Sequence, residues 1–335
     1  MQPPKSDPDL PLVTVVAAFH VPAPALVRRQ IASIVGQTGV RLNLVGVLDG
    51  AETASDAGLT GSLRQEGFDI IVNDEARGVR AAFEAGLRHA ISRAAGPGYF
   101  AYSDQDDVWH LDKLAKSVAE LRTNAAQMVY CDARVVDAEG HVIATSLHDY
   151  EARQEPADLL QHLLLNAVSG MTAVFTEPAA RLAAAMMRGN QTVLLHDHIT
   201  AVAAASLGAV VRLPEPLVDY VQHESNQLGA MPRAPAWRRR GLGVGHLSAY
   251  RTTSAAIFNE RRLVAAALAR EGQLPRPLST MFLIHRPSFA SFEATYLAAI
   301  AALLKQGQRR RAMLCLRLMD AAFSAWIRQR QQAIA

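Results

Sequence analysis

Gly98–Leu114 reads GYFAYSDQDDVWHLDKL, an apolar run that breaks into Ser103-Asp104-Gln105-Asp106-Asp107 and then into a helical pattern starting near Leu111 or Asp112. Tyr99-Phe100-Ala101-Tyr102 has the look of a buried strand. Three carboxylates within four residues at the end of such a strand repel one another strongly unless something neutralises them. A divalent cation does so by turning the repulsion into shared ligation through hard oxygen atoms. The carboxyl end of a strand is also where open α/β sheets place their ligands. The plainer alternative is a solvated acidic turn in which one Asp caps the next helix. The apolar strand before the turn and Trp109 after it weigh against that alternative.

Working outward, the strands on either side repeat the pattern. Leu12–Phe19 (LVTVVAAF) is a continuous apolar run, as expected of a central strand covered on both faces. Pro22 and Pro24 break it, and Leu26, Ile31, Ile34 and Val35 then mark one face of a helix. Leu42–Leu48 is a second strand closing in Asp49-Gly50, and Phe68–Val72 a third. Phe83, Leu87 and Ile91 recur at helical spacing within Gly78–Ala95. Beyond the acidic turn come a helix over Leu111–Leu121, a strand at Gln127–Cys131 and a hairpin through Asp137–Gly140. A polar loop is expected over Asp149–Pro156, and a turn at Ser169-Gly170 feeding a strand to Phe175. His196-Asp197-His198 opens an apolar helix that Gly208 ends, with strands at Ala209–Leu213 and again from Leu217. Strands alternating with helices imply an α/β fold built on a doubly wound, mostly parallel sheet flanked by helices.

Charge divides the chain. Residues 1–230 hold 17 Lys+Arg against 27 Asp+Glu, a net of −10, whereas residues 231–335 hold 17 against 4, a net of +13. The expected organisation is therefore one α/β domain over 1–230 and a basic, α-helical C-terminal region over 231–335. Helical patterns fall roughly at Ser248–Ala269, Ser288–Lys305 and Arg309–Gln332, after a basic linker from Pro232 to Gly241. That region suits either packing on the first domain or an anionic membrane surface. Cys131 and Cys315 carry no metal-ligand spacing, which indicates a reducing compartment without a disulfide framework. MQPPKSDPDLP lacks the basic and apolar regions of a secretory signal, and no apolar run nears the ~18 residues of a membrane span. A cytoplasmic chain, or one peripheral on the cytoplasmic face of the inner membrane, is expected.

Taken singly, Asp49 in an Asp-Gly turn, Asp197 near a helix start and His223 are ordinary structural residues. As an ordered set along one doubly wound sheet they can converge on a single crevice. That set, with SDQDDVW and DKL as its most specific part, resembles the family 2 glycosyltransferases, particularly their rhamnosyltransferase-like branch. The resemblance runs from about Val13 to Gly229. It includes Arg77-Gly78-Val79 with Phe83-Glu84-Ala85-Gly86-Leu87, Ser169-Gly170, His196-Asp197-His198, and Tyr220-Val221-Gln222-His223-Glu224-Ser225-Asn226.

The resemblance implies a GT-A fold and an inverting, metal-dependent glycosyltransferase. Such an enzyme moves a sugar, rhamnose or another hexose, from a nucleotide diphosphate donor to a surface polysaccharide or lipid-linked glycan. By position it makes Asp197 the general base. Asp49, Arg77, Gly78, Asp104, Asp107, Trp109 and Gly170 become the donor-side residues, and Asp104, Asp106 and His223 the ligands of Mg²⁺ or Mn²⁺. Departures from the family pattern are Leu48, Ala51, Ala18-Phe19-His20, Ala82, His198 and Val221. They bear on nucleobase and sugar more than on reaction class. Other readings are a sugar nucleotidyltransferase, which His20-Val21-Pro22-Ala23-Pro24 fits poorly for want of a Gly-rich phosphate loop, and a non-catalytic nucleotide-sugar-binding or assembly subunit. No nucleic-acid partner is expected, because the Arg-rich tail lacks interleaved aromatic residues.

Overall fold

A computed structural model describes residues 9–74, 78–93, 96, 98–190, 192–223 and 259–283. In chain order its elements begin with β1 (Leu12–Phe19), α1 (Pro24–Val35), β2 (Arg41–Asp49), α2 (Ala51–Ala54), α3 (Ala57–Gln65) and β3 (Asp69–Asn73). Next come α4 (Val79–Ser92), β4 (Tyr99–Ser103), β5 (Val108–Trp109), α5 (Lys113–Thr123), β6 (Met128–Val136) and β7 (Val142–Ala144). The series continues with α6 (Leu147–Tyr150), α7 (Leu159–Leu164), β8 (Ala173–Thr176), α8 (Glu177–Met187), α9 (His196–Leu207) and β9 (Val210–Val221). Helix α10 is seen over 259–270, and α11 spans Arg276–Leu283.

The strands form one nine-stranded sheet in the order β3-β2-β1-β4-β8-β6-β9-β5, with β7 paired to β6. β3, β2, β1 and β4 run parallel, and β6 is parallel to β9. β8 lies antiparallel between β4 and β6, and β5 antiparallel to β9. The sheet is the mixed, helix-flanked GT-A type expected from the sequence. Its local periodicity sorts the helices. Val13, Val15, Ala17 and Phe19 of β1 share a core with Ile31 and Ile34 of α1, Leu59 and Leu63 of α3, and Leu114 and Val118 of α5. Val16, on the opposite face, meets α4. Every one of these β1 side chains is fully buried, worth about 1.5–3 kcal/mol for each Val or Phe.

Local chemistry sets the helix starts. Pro24 opens α1, Asp56 caps α3 by accepting the Leu59 N–H at 2.9 Å, and Asp158 caps α7 by accepting the Gln161 N–H at 2.9 Å. The sequence-level reading did not include α2, α3, β5 or α6, and two strands run longer than expected. Gln127–Cys131 extends through Val136 as one strand. The segments expected separately at Ala209 and Leu217 join as a single 12-residue β9 despite Pro214 and Pro216. The register shifts between Cys131 and Ala133 absorb those prolines, which cannot donate to the ladder.

The chain divides into two compact units, Met1–Arg188 with Leu195–Arg233, and Gly189–Leu194 with Ala234–Ala335. In the second, Glu260 Oε2 accepts from Thr192 Oγ1 at 2.7 Å and from the Val193 N–H at 2.8 Å. The expected linker and the last two expected helices lie outside the described residues. Among the described residues, no helix is long and apolar enough to cross a membrane.

Helix α4 sits unusually close to the sheet at Gly86, where a Cβ would lie 2.4 Å from Val16 Cγ1 and 2.6 Å from Val47 Cγ2. Gly86→Ala should therefore push α4 outward and cost about 1–3 kcal/mol, measured as a lower urea midpoint.

Candidate active site

The acidic turn follows β4, and each of its side chains finds a different environment. Asp106 Oδ2 lies 2.9 Å from His223 Nε2, joining residues 117 apart in sequence. Both side chains are largely sheltered, at 16% and 15% exposure. Asp104 is pushed up to about 7 by burial, with the negative charges of Asp106 and then Asp197 adding to the effect. Those three carboxylates thus share one electrostatic neighbourhood. Gln105 Oε1 accepts the His20 N–H at 2.7 Å, which ties the turn to the end of β1.

Asp107 and Trp109 lie behind the turn rather than on its open side. Asp107 is 1% exposed and its Oδ1 accepts the Val221 N–H at 3.2 Å. Trp109 is 2% exposed, belongs to the core beside Leu114, and its backbone N–H donates to Ser33 Oγ at 3.1 Å. Both were expected on the donor side, and both side chains are almost wholly buried.

Asp49 ends β2 and is 5% exposed. Its Oδ1 accepts from Asn73 Nδ2 at 2.8 Å and its Oδ2 from the Gly78 N–H at 3.0 Å. Gly78 precedes α4 with φ at 103°, a left-handed conformation that favours glycine. Asp49 thereby fixes the path from β3 into α4. Arg77 lies outside the described residues.

Asp197 stands in the first turn of α9, where the helix dipole favours a negative charge. Burial nevertheless pushes its carboxyl up to about 6, against the opposing effects of the His198 N–H, the Arg153 charge and the Asn166 side chain. Arg153 is held by Ala167 O at 3.1 Å, Ser169 Oγ at 2.8 Å and Glu151 Oε2 at 2.7 Å. Neither Arg153 nor Asn166 was expected at the site. Arg153 sits in a stretch whose polarity alone suggests a loop, and its only sequence signal is an Arg among acidic neighbours.

His196 is fully enclosed. Its ring stacks on Phe83 at 3.8 Å between centroids and meets Tyr102 edge-on at 4.7 Å. Burial pulls its imidazole down to about 3, so it stays neutral and is a weak proton acceptor. Gly170 supplies the gap for that ring, since a Cβ there would lie 2.6 Å from His196 Nε2. Its place in the site is thus to admit His196. Thr200 Oγ1 donates to His196 O at 2.7 Å and lies 3.0 Å from the Tyr102 hydroxyl, which locks the start of α9 against β4.

Carboxylate oxygens on Asp104 and Asp106 with one imidazole on His223 make a donor set that suits Mg²⁺ or Mn²⁺. Asp106 and His223 lie together, but the ligand atoms of Asp104, Asp106 and His223 do not all fall within 4.8 Å of one another. Among the described residues, the His/Asp/Glu group with ligand atoms all within 4.8 Å is a different one, Asp137, Glu139 and His141. It lies on the β6–β7 turn, where Asp137 already accepts the His141 N–H at 2.7 Å and sits 3.0 Å from its Nδ1.

The chain matches the model of glycosyl transferase family 2 over residues 14–182. Asp49 and the acidic turn fall within that match, while Asp197 and His223 lie beyond it. Among solved structures it is similar to a 1–349 fragment of S. aureus TarS in complex with UDP-GlcNAc, at 12% identity and a TM-score of 0.45, covering 96% of this chain and 92% of that chain. The same fragment in complex with UDP gives 11% identity and a TM-score of 0.44 over the same shares. S. aureus TarS itself gives 12% and 0.45, covering 93% of this chain and 53% of that chain. No curated protein matches at a significant level.

The tight seat of His196 gives a direct check. Gly170→Ala should displace the ring and lower stability by about 1–3 kcal/mol, read from the denaturant midpoint.

Proposed function

The chain belongs to glycosyl transferase family 2, and from that membership and the geometry of its acid cluster we propose that it moves a sugar from a nucleotide diphosphate donor to a hydroxyl acceptor, inverting the anomeric carbon. The observation that carries this reading is electrostatic. Asp104 feels Asp106 and Asp197 together, while His223 closes on Asp106. A base and a diphosphate-binding acid pair therefore serve one space.

In this reading Asp197 takes the proton of the acceptor hydroxyl as that oxygen attacks the anomeric carbon. The bond from sugar to diphosphate breaks on the opposite side, and the nucleotide diphosphate leaves with the bonding electrons. Burial suits Asp197 to the role, because a carboxylate titrating near 6 is more basic than a solvated one yet still ionised at neutral pH. The charge of Arg153 and the Asn166 side chain limit how far its basicity rises. Asp104, Asp106 and His223 would hold Mg²⁺ or Mn²⁺, which when bound neutralises charge on the departing diphosphate. Asp49 and Gly78 shape the nucleobase end of the cleft.

The sugar is rhamnose or another hexose, and the acceptor a surface polysaccharide or lipid-linked glycan. Residues 1–230 carry the chemistry. The basic region over 231–335 suits an anionic membrane on the cytoplasmic side, where such an acceptor would be displayed.

Two measurements check the assignments. Turnover should rise with pH through about 6 and level off above it, since the base must lose its proton first; Asp197→Asn should abolish that limb and lower turnover roughly 10²-fold or more while donor still binds. Unchanged transfer by that variant would remove Asp197 as base. Asp106→Ala should lose Mn²⁺-dependent donor binding in calorimetry, and wild-type affinity there would remove the metal assignment.

A further inference from the structure

A small polar cavity is lined by Arg153, Arg212, His148, Asp132, Tyr130 and Thr172, among others. Two nitrogens on its wall are buried without a hydrogen-bond partner among the described residues, Arg212 Nε and His148 Nε2. A guanidinium N–H can only donate, and leaving a charged donor unpaired in the interior is costly. Two such atoms on one cavity mark a place that wants an acceptor oxygen.

The chain itself shows which chemistry that place accepts. Glu155 Oε1 accepts from Arg212 Nη1 at 3.0 Å and lies 3.9 Å from His148 Nε2. Its side chain is 52% exposed, in an irregular stretch between α6 and α7. An ion pair so exposed contributes little, so this carboxylate is replaceable. Asp132, on the other side of Arg212, is fixed. Almost wholly buried, it accepts from Arg212 Nη2 at 3.0 Å, from Ser146 Oγ at 2.6 Å, and from the Ala133 and His148 N–H groups at 2.8 and 3.2 Å. A single bridging water is the plainer occupant of the cavity. It would satisfy the two nitrogens, but it gives no reason for a glutamate set on the same guanidinium.

Printed contacts also join the cavity to the active site. Arg153, on its wall, donates to Ala167 O and Ser169 Oγ. The next residue, Gly170, lies against His196, the neighbour of Asp197.

The geometry points to an oxyanion subsite joined through Arg153 to the wall of the active site: Arg212 and His148 take a phosphate or carboxylate group of the acceptor, and Glu155 holds that place until it arrives. A singly charged group brings the charge that Glu155 removes, so Arg153 and Arg212 keep their balance against Glu151 and Asp132. That the group belongs to the acceptor rests on the proposed transfer; the subsite itself does not.

The test follows the Arg212 Nε–H resonance of the ¹⁵N-labelled full chain in EDTA, assigned by its loss in Arg212→Lys. Inorganic phosphate, acetate, glucose and glucuronate are titrated in turn. Phosphate or acetate should move the resonance, and the one that does so at lower concentration names the preferred group. Glu155→Gln should lower the half-saturating concentration about two- to fivefold, the strength of an exposed ion pair. Glucuronate should bind more tightly than acetate, and glucose should leave the resonance in place. If Arg212→Lys does not fold, the Nε–H signal that Glu155→Gln moves identifies Arg212. A resonance unmoved by phosphate and acetate in both wild type and Glu155→Gln would leave only the bridging water and overturn the subsite. Equal half-saturation in the two proteins would remove Glu155 as its placeholder, and glucuronate no tighter than acetate would remove the acceptor as its ligand. Calorimetry with UDP and Mg²⁺ tests the transfer reading separately, so the two can fail apart.

Discussion

Mutual repulsion among Asp104, Asp106 and Asp107 is the constraint on which the rest of this structure depends. Two unit charges 4 Å apart interact by about 4 kcal/mol even at an effective dielectric constant of 20. Three carboxylates on one short turn cannot stay ionised together without partners. The protein separates their fates. Asp106 turns to the imidazole of His223, Asp107 is buried and accepts the Val221 N–H, and Asp104 is buried where the charges of Asp106 and then Asp197 act on it. The same backbone turn thus provides an anchored side and a reactive side.

Sheet topology brings those partners to the turn. The parallel strands β1, β2 and β4 deliver His20, Asp49 and Asp104 near their carboxyl ends, where hydrogen bonds link Gln105 to His20 and His20 Nδ1 to Asp49 O. β8 then runs antiparallel between β4 and β6, so that Gly170, just ahead of it, lies beneath His196. The short ladder between β5 and β9 sets Val108 opposite Asp219. Asp219 in turn is gripped by Arg134, with Nε at 2.6 Å and Nη2 at 2.7 Å from its two oxygens. That grip holds β9 against β6 a few residues before His223.

Much of this was readable from residues alone. β1 was visible to the residue because five consecutive buried positions leave no room for polar alternation. The acidic turn announced itself by charge density, whereas Asp197 stood out only as part of the ordered set that carries the family resemblance. What sequence could not give was direction. Nothing local distinguishes an Asp that faces solvent from one that faces the core, so the burial of Asp107 and Trp109 was not legible. α2 and α3 gave little signal because Ala51–Gln65 is short, Gly-containing and weakly amphipathic. β9 looked like two strands because its prolines break the pattern, and only a partner strand with a shifted register can bridge them.

The span between Asp106 and His223 also orders events during synthesis. Contacts this distant in sequence form late, because a long loop must close first. At roughly 5–20 residues per second on the ribosome, the turn waits several seconds or more for its imidazole. The acidic turn therefore reaches its finished form only after β9 and the residues just beyond it have been made.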